Sequence, residues 1–147
     1  MLLFKSHNES ANLIFKEVLQ EHTKEWEQLF DTSQTAEFLG LDPKLSKAKL
    51  AKKFMDKVFH RYANNLGGMN ALIEKSSGKL VGQCGLLIQE WKGEQFWEIG
   101  YAILPHFRGK GYASEAAVKC KEEAFKANLC DEIFSIINLG NIASEKV

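Results

Sequence analysis

One stretch constrains the fold of this chain more than any other, and it runs from residue 96 to 128. Residues 96–104 alternate: Trp97, Ile99, Tyr101 and Ile103 fall on one side, and Glu98, Gly100 and Ala102 on the other. That period of two marks a half-buried strand. Pro105 ends it, and a turn with two glycines follows, Arg108-Gly109-Lys110-Gly111. From about Gly111 to Asn128 the pattern turns helical, with Ala113, Ala117, Cys120 and Ala124 on one face and Phe125 broadening it. A face of small residues lets a helix lie close on a sheet. Strand, glycine turn and small-faced helix, in that order, predict a layered α/β (α+β) fold.

The rest of the chain supplies the sheet. Residues 69–74 and 80–88 read as strands joined by the turn Ser76-Ser77-Gly78-Lys79, and a second turn at Trp91-Lys92-Gly93 leads into the strand above. Strands this close in sequence predict an antiparallel meander. Residues 12–18 read as a first strand, and 2–4 as a short strand or a frayed end. Residues 23–30 carry Trp26, Leu29 and Phe30 at helical spacing. A short segment through Phe38 and Leu39 ends at Gly40, and Pro43 resets the chain. The strongest early helix spans about 46–62, with Ala51, Phe54 or Met55, Val58 and Tyr62 on one side and Lys49, Lys52, Lys53 and Lys57 on the other. Beyond the small-faced helix, residues 133–137 read as a short apolar strand. A helix between two strands predicts a parallel crossover. Asn141 is placed to cap a final helix.

Composition enters as a set of exclusions. A chain of 147 residues suits one domain, taken as residues 1–147, with enough surface to bury a core. Nineteen Lys and Arg balance nineteen Asp and Glu. A nucleic-acid binder shows a basic excess, so no nucleic-acid partner is expected. No apolar run is long enough for a membrane span. Three cysteines, Cys84, Cys120 and Cys130, form no C-x-x-C pair, and His7, His22, His60 and His106 are scattered, so no metal site is expected. No secretory signal is visible, and a reducing, cytoplasmic setting fits.

The chemistry concentrates in the glycine turn. Two glycines uncover the backbone N–H groups, and the helix start adds unpaired N–H groups and its positive dipole end. Such a nest suits a pyrophosphate, with Arg108 and Lys110 adding charge. It is neither a Walker loop nor the dinucleotide fingerprint, because Ser114 stands where a third glycine is needed.

The segment resembles the coenzyme-A motif of the GNAT N-acetyltransferase superfamily, whose core is Arg or Gln, two residues, Gly, one residue, then Gly or Ala. Arg108, Gly111 and Ala113 match it. The wider text, Glu98-Ile99-Gly100-Tyr101 through Gly111-Tyr112-Ala113-Ser114-Glu115-Ala116, resembles the branch that acetylates ribosomal-protein N-termini (the ribosomal-protein-alanine type), which also includes enzymes acting on small amines. Ser135-Ile136-Ile137 and Asn141-Ile142-Ala143-Ser144 resemble the strand and helix start that follow the cofactor helix. The fold this implies is a GNAT-like mixed central sheet, with the antiparallel meander followed by the parallel crossover and helices on both faces.

The resemblance also implies roles. Acetyl-CoA is the cosubstrate, and a primary amine, a protein N-terminus or small amine, is the acceptor. Backbone at Ile103 holds pantetheine, as an added strand does. The N–H groups of Arg108, Gly109, Lys110, Gly111, Tyr112 and Ala113 hold pyrophosphate. Asn141 bonds the pantetheine arm, and the Ser144 hydroxyl faces the leaving sulfur. Glu98 is the candidate base for direct attack by the amine. A non-catalytic acyl-CoA-binding or regulatory domain is the alternative. Family members normally continue past the Asn141 position to complete that helix and add further strands. Measured against that pattern this chain stops short at its carboxyl end, and two alternatives stay open: a fragment, or a shortened domain whose exposed sheet edge invites pairing or domain swapping, for which a homodimer is one form.

Overall fold

Alternating apolar residues and glycine turns build the sheet. The computed structural model describes Phe4 and residues 8–147. In chain order the elements are β1 (Asn8–Glu9), β2 (Leu13–Glu17), a 3-10 helix (Gln20–Phe30), α1 (Ser33–Phe38), α2 (Lys47–Ala63), β3 (Gly67–Glu74), β4 (Leu80–Trp91), β5 (Glu94–Ile103), a 3-10 turn (Pro105–Phe107), α3 (Tyr112–Lys126) and α4 (Ile142–Glu145). The sheet order is β1-β2-β3-β4-β5, and each neighbouring pair is antiparallel. The meander is therefore present, with Gln83 opposite Ala102 and Leu87 opposite Glu98. The short strand expected at 2–4 lies outside the described residues.

Each face of the sheet carries its own core. On one face Trp26, Leu29 and Phe30 from the 3-10 helix and Leu50, Phe54, Met55 and Val58 from α2 pack with Ala71, Leu80 and Leu104. On the other, Ala116, Cys120 and Ala124 of α3 lie on Val81, Cys84, Leu86, Ile99 and Ile103. These three are fully buried; Cys120 and Ala124 belong to the predicted face, whereas Ala116 takes the buried place and the predicted Ala113 and Ala117 are half-buried at its margin. Ser46 starts α2, its hydroxyl accepting from the Lys49 N–H at 3.3 Å. The lysine face of α2 stays in solvent. The helix predicted at 23–30 is a longer 3-10 helix, in which the predicted apolar residues are the buried ones.

The predicted strand at 133–137 is reduced to one parallel bridge, Glu98 to Phe134. Phe134 accepts from the Ile99 N–H at 2.8 Å and donates to the Trp97 carbonyl at 2.9 Å. The Ser135 hydroxyl then donates to the Ile99 carbonyl at 3.1 Å, and past that point the segment leaves the strand. The crossover is parallel, as expected, but it opens into a cleft instead of continuing the ladder. No described helix is long and apolar enough to cross a membrane. No group of three or more His, Cys, Asp or Glu is placed to hold a metal ion among the described residues.

Candidate functional site

Parity along β5 decides which backbone groups face the cleft. The N–H and C=O groups of one strand residue point to one neighbour and those of the next to the other. Trp97 and Ile99 use theirs on Phe134, so Tyr101 and Ile103 present theirs to the same outer edge. Among the described residues that edge has no partner strand beyond Phe134. The Ile103 carbonyl accepts from Arg108 Nε at 3.0 Å. The Tyr101 N–H, the Tyr101 C=O and the Ile103 N–H remain open to an extended, amide-bearing ligand.

The glycine turn follows directly. Gly109 and Gly111 both adopt the left-handed conformation, φ 78° and 83°. A Cβ at either would meet nothing within 4 Å, so the turn's surface is bare backbone. No side chain caps α3, whose N-cap is Gly111. Among the described residues the N–H groups from Gly109 to Ala113 find no acceptor; the first α3 bond closes from Glu115 to Gly111. This is a nest for an anion at a helix start.

The two basic side chains of the turn are placed differently from their expected charge role. Arg108 turns back onto Ile103, as above, and burial lowers its pKa. Lys110 leans over the Phe107 ring, 5.3 Å from its centroid, and stands 3.9 Å from Glu74 Oε2. It does not line the cleft. The same Glu74 accepts from the Tyr112 hydroxyl and, at 2.6 Å, from Ser77 Oγ. The Ser77 and Tyr112 bonds lead in holding its carboxyl below the usual range. The nest is thus fastened to the β3–β4 turn, and its N–H groups face the other way.

Two cavities meet at the cleft. The larger, about 590 Å³, is lined by Ile103, Arg108, Gly109, Gly111, Tyr112 and Ala113, with Asn141 and Ser144 opposite. The smaller, about 230 Å³, lies over the α2 side of the sheet and includes Glu98, Lys57 and Arg61. Tyr101, Ala102, Asn141 and Ser144 line both. Asn141 Oδ1 caps α4, accepting from the Ser144 N–H at 3.1 Å. That cap uses the amide oxygen only, in a residue that lines both cavities. The Ser144 carbonyl accepts from the Tyr101 hydroxyl at 2.7 Å. Ser144 is therefore held at both ends of its backbone, with its hydroxyl uncommitted. Burial leads in raising the Tyr101 pKa, so the phenol stays protonated at neutral pH.

Glu98 is only 7% exposed, yet it lines the smaller cavity. Gln89 Nε2 donates to its Oε2 at 2.6 Å. Sequence reasoning missed Gln89, nine residues away, and Arg61, on another element. Arg61 Nη1 donates to the carbonyls of Leu66 and Ile88, both at 3.0 Å. Burial lowers its pKa, and the Glu98 charge opposes that shift. The arrangement can hold a pyrophosphate on backbone N–H groups, lay an amide chain along β5, and keep a carboxylate beside the chain's end.

The architecture is thus a mixed α/β fold, a five-stranded meander that opens at its last strand beside an α3 start without a side-chain cap. The acetyltransferase (GNAT) domain family model matches residues 12–147, and the chain belongs to that family. It is 35% identical over 74 residues to the uncharacterised protein YkkB of Bacillus subtilis, covering 50% of this chain and 43% of that protein. It is 26% identical over 128 residues to the uncharacterised N-acetyltransferase YnaD of the same organism, covering 84% of this chain and 70% of that one. Among solved structures it is similar to an acetyltransferase from Agrobacterium tumefaciens, with a TM-score of 0.75 at 17% identity over 96% of this chain and 79% of that one. It is also similar to RimL, a ribosomal L7/L12 alpha-N-protein acetyltransferase solved with coenzyme A, with a TM-score of 0.68 at 17% identity over 93% and 77% of the two chains.

Proposed function

We propose that this chain is an acetyl-CoA-dependent N-acetyltransferase acting on a primary amine, by direct attack and without a covalent enzyme intermediate. One observation carries the reading: the anion nest and the free β5 edge line one cavity, Glu98 lines the next, and the two share Tyr101, Ala102, Asn141 and Ser144. The family match and the fold likeness to RimL support it. When bound, acetyl-CoA supplies an activated acetyl thioester. The N–H groups of Gly109 to Ala113 receive its pyrophosphate. The β5 edge at Tyr101 and Ile103, with the Asn141 amide, holds the pantetheine arm. An edge N–H near the splay polarises the acyl carbonyl.

Glu98 takes the proton that the amine must lose, directly or through a water. Gln89 holds that carboxylate toward the cavity. The new bond joins the amine nitrogen to the acyl carbon, the carbon–sulfur bond breaks, and the Ser144 hydroxyl steadies the departing sulfur. Cysteine chemistry has no place in this scheme. Cys84 and Cys120 are buried, their Sγ atoms 3.6 Å apart. That contact, then burial, drives the Cys84 thiol pKa well up.

The test is calorimetric titration with acetyl-CoA, followed by thiol release with a panel of amines. The expected result is saturable binding, amine-dependent release, and a loss of kcat in Glu98→Gln of about 10²-fold or more with binding retained. Absence of acetyl-CoA binding by the folded chain overturns the reading. Binding without release for any amine favours a non-catalytic acyl-CoA-binding role instead.

A further inference from the structure

The smaller cavity says something about the acceptor, and this inference rests on the acetyl-transfer reading above. Its ionisable lining consists of Lys57, Arg61, Glu98 and Tyr101. Tyr101 stays neutral, as shown above, so two cations face one carboxylate. Lys57 and Arg61 are four residues apart on α2. That spacing puts them on one helix face as neighbours, roughly 5–6 Å apart at Cβ. Arg61 spends Nη1 on two carbonyls and keeps its other guanidinium N–H groups. Among the described residues Lys57 Nζ reaches only the Leu39 carbonyl, at 3.4 Å. Glu98 already receives Gln89.

We propose that the acceptor is a small amine that also carries a carboxylate, with its amine at Glu98 and its carboxylate on the Lys57–Arg61 pair. A polyamine fits badly. Its second ammonium group would meet two cations, the half-buried Arg61 and the exposed Lys57, and bringing like charges together there is unfavourable. A carboxylate in the same place completes the pairing, and a guanidinium fork suits it. The size agrees. At about 230 Å³ the cavity is smaller than the roughly 300–1,000 Å³ of drug-sized sites, so a multi-ring amine is too large.

Three acceptors of matched length test this: β-alanine, n-propylamine and 1,3-diaminopropane, which end in a carboxylate, a methyl group and an ammonium group. Their binding to the coenzyme-A-loaded protein is measured by ligand-observed NMR, and acetyl transfer is measured separately as kcat/KM. The proteins are wild type, Lys57→Ala and Lys57→Glu. Lys57 is an exposed helix residue outside the acetyl-CoA cavity, so acetyl-CoA affinity serves as the control for folding. Wild type is expected to bind in the order β-alanine, n-propylamine, 1,3-diaminopropane, with about tenfold or more between first and last. Lys57→Ala compresses the order and Lys57→Glu reverses it, acetyl-CoA affinity being unchanged. A flat or reversed order in wild type, no binding of any of the three, or a ratio unmoved in Lys57→Glu overturns the proposal. If the binding order holds but none of the three is acetylated, the acetyl-transfer reading falls and the charge assignment of the cavity stands.

Discussion

At Gly111 the backbone conformation and the ligand surface make the same demand. Its φ of 83° is one that residues with a Cβ rarely adopt, and the space in front of it is empty. Gly111→Val should therefore lose about 1–3 kcal/mol of stability through strain. It should also lower acetyl-CoA affinity at least about tenfold, because the side chain covers the nest. Gly40→Ala is the control: its φ is 69° with equally open space, but it lies outside both cavities. Calorimetry should show that variant binding like wild type, and equal losses in both would sink the nest. Gln83 makes a different case. It is fully buried, and both its amide atoms lack a partner among the described residues. An unmade hydrogen bond at a buried group costs about 1–3 kcal/mol. Gln83→Met keeps the unbranched shape and removes that cost, so its urea midpoint should rise. A lower midpoint would show that the amide is satisfied in solution.

At the scale of elements, the start of α3 is tied to the sheet's far edge by one residue. Glu115 accepts from Ser10 Oγ at 2.5 Å, from the Asn12 N–H at 2.7 Å and from Asn12 Nδ2 at 2.9 Å. Burial alone would raise its carboxyl pKa, but the Ser10 and Asn12 bonds with the nearby Lys75 charge more than reverse this, and the net shift is downward. A depressed folded value means the stabilisation is complete above the unfolded value, about 4.3, and is lost as pH falls through the folded one. Glu115→Gln should cost about 1–2 kcal/mol at neutral pH, and the gap to wild type in denaturant melts should close under acid. A constant gap down to pH 2 would contradict the clamp. This clamp was invisible in the sequence, since Ser10 and Asn12 lie over a hundred residues from their partner. What could be read was local. Alternation gave β5, the turns at 76–79 and 91–93 marked off β3 and β4, and the apolar stripe opposite the lysines gave α2. The expected 133–137 strand failed because apolar character marks residues able to pair, and only Phe134 meets a partner. Glu98 was a candidate through the family resemblance, with parity placing it opposite Trp97 and Ile99. Gln89 and Arg61 were not, because their approach to it depends on a hairpin and a helix packing together.

At the scale of the whole molecule, binding and stability are linked, because the cleft's walls join β5 and the glycine turn to α4 and to Leu29, Thr32 and Phe38 from the early part of the chain. Acetyl-CoA that binds only the folded state at one hundred times its Kd should add about 2.7 kcal/mol, and an unmoved melting temperature at saturating ligand would exclude specific binding. Thiol labelling maps the same core from inside. Cys130 is half-buried, whereas Cys84 and Cys120 sit between sheet and helix. An alkylating reagent should modify Cys130 first and reach the other two only on unfolding. Equal rates in the native protein would argue that α3 is loosely seated. The parting of the chain after Phe134 has a consequence for isotope exchange. Two amides a dipeptide apart, Tyr101 and Ile103, sit on the open side of β5, while the Ile99 and Leu104 amides are already bonded at 2.8 Å. In deuterium oxide the first two should be early exchangers and the second two late ones. A ligand that lies against the edge as one more strand would slow the early pair alone, so two amide signals become a clock for occupancy of the cleft.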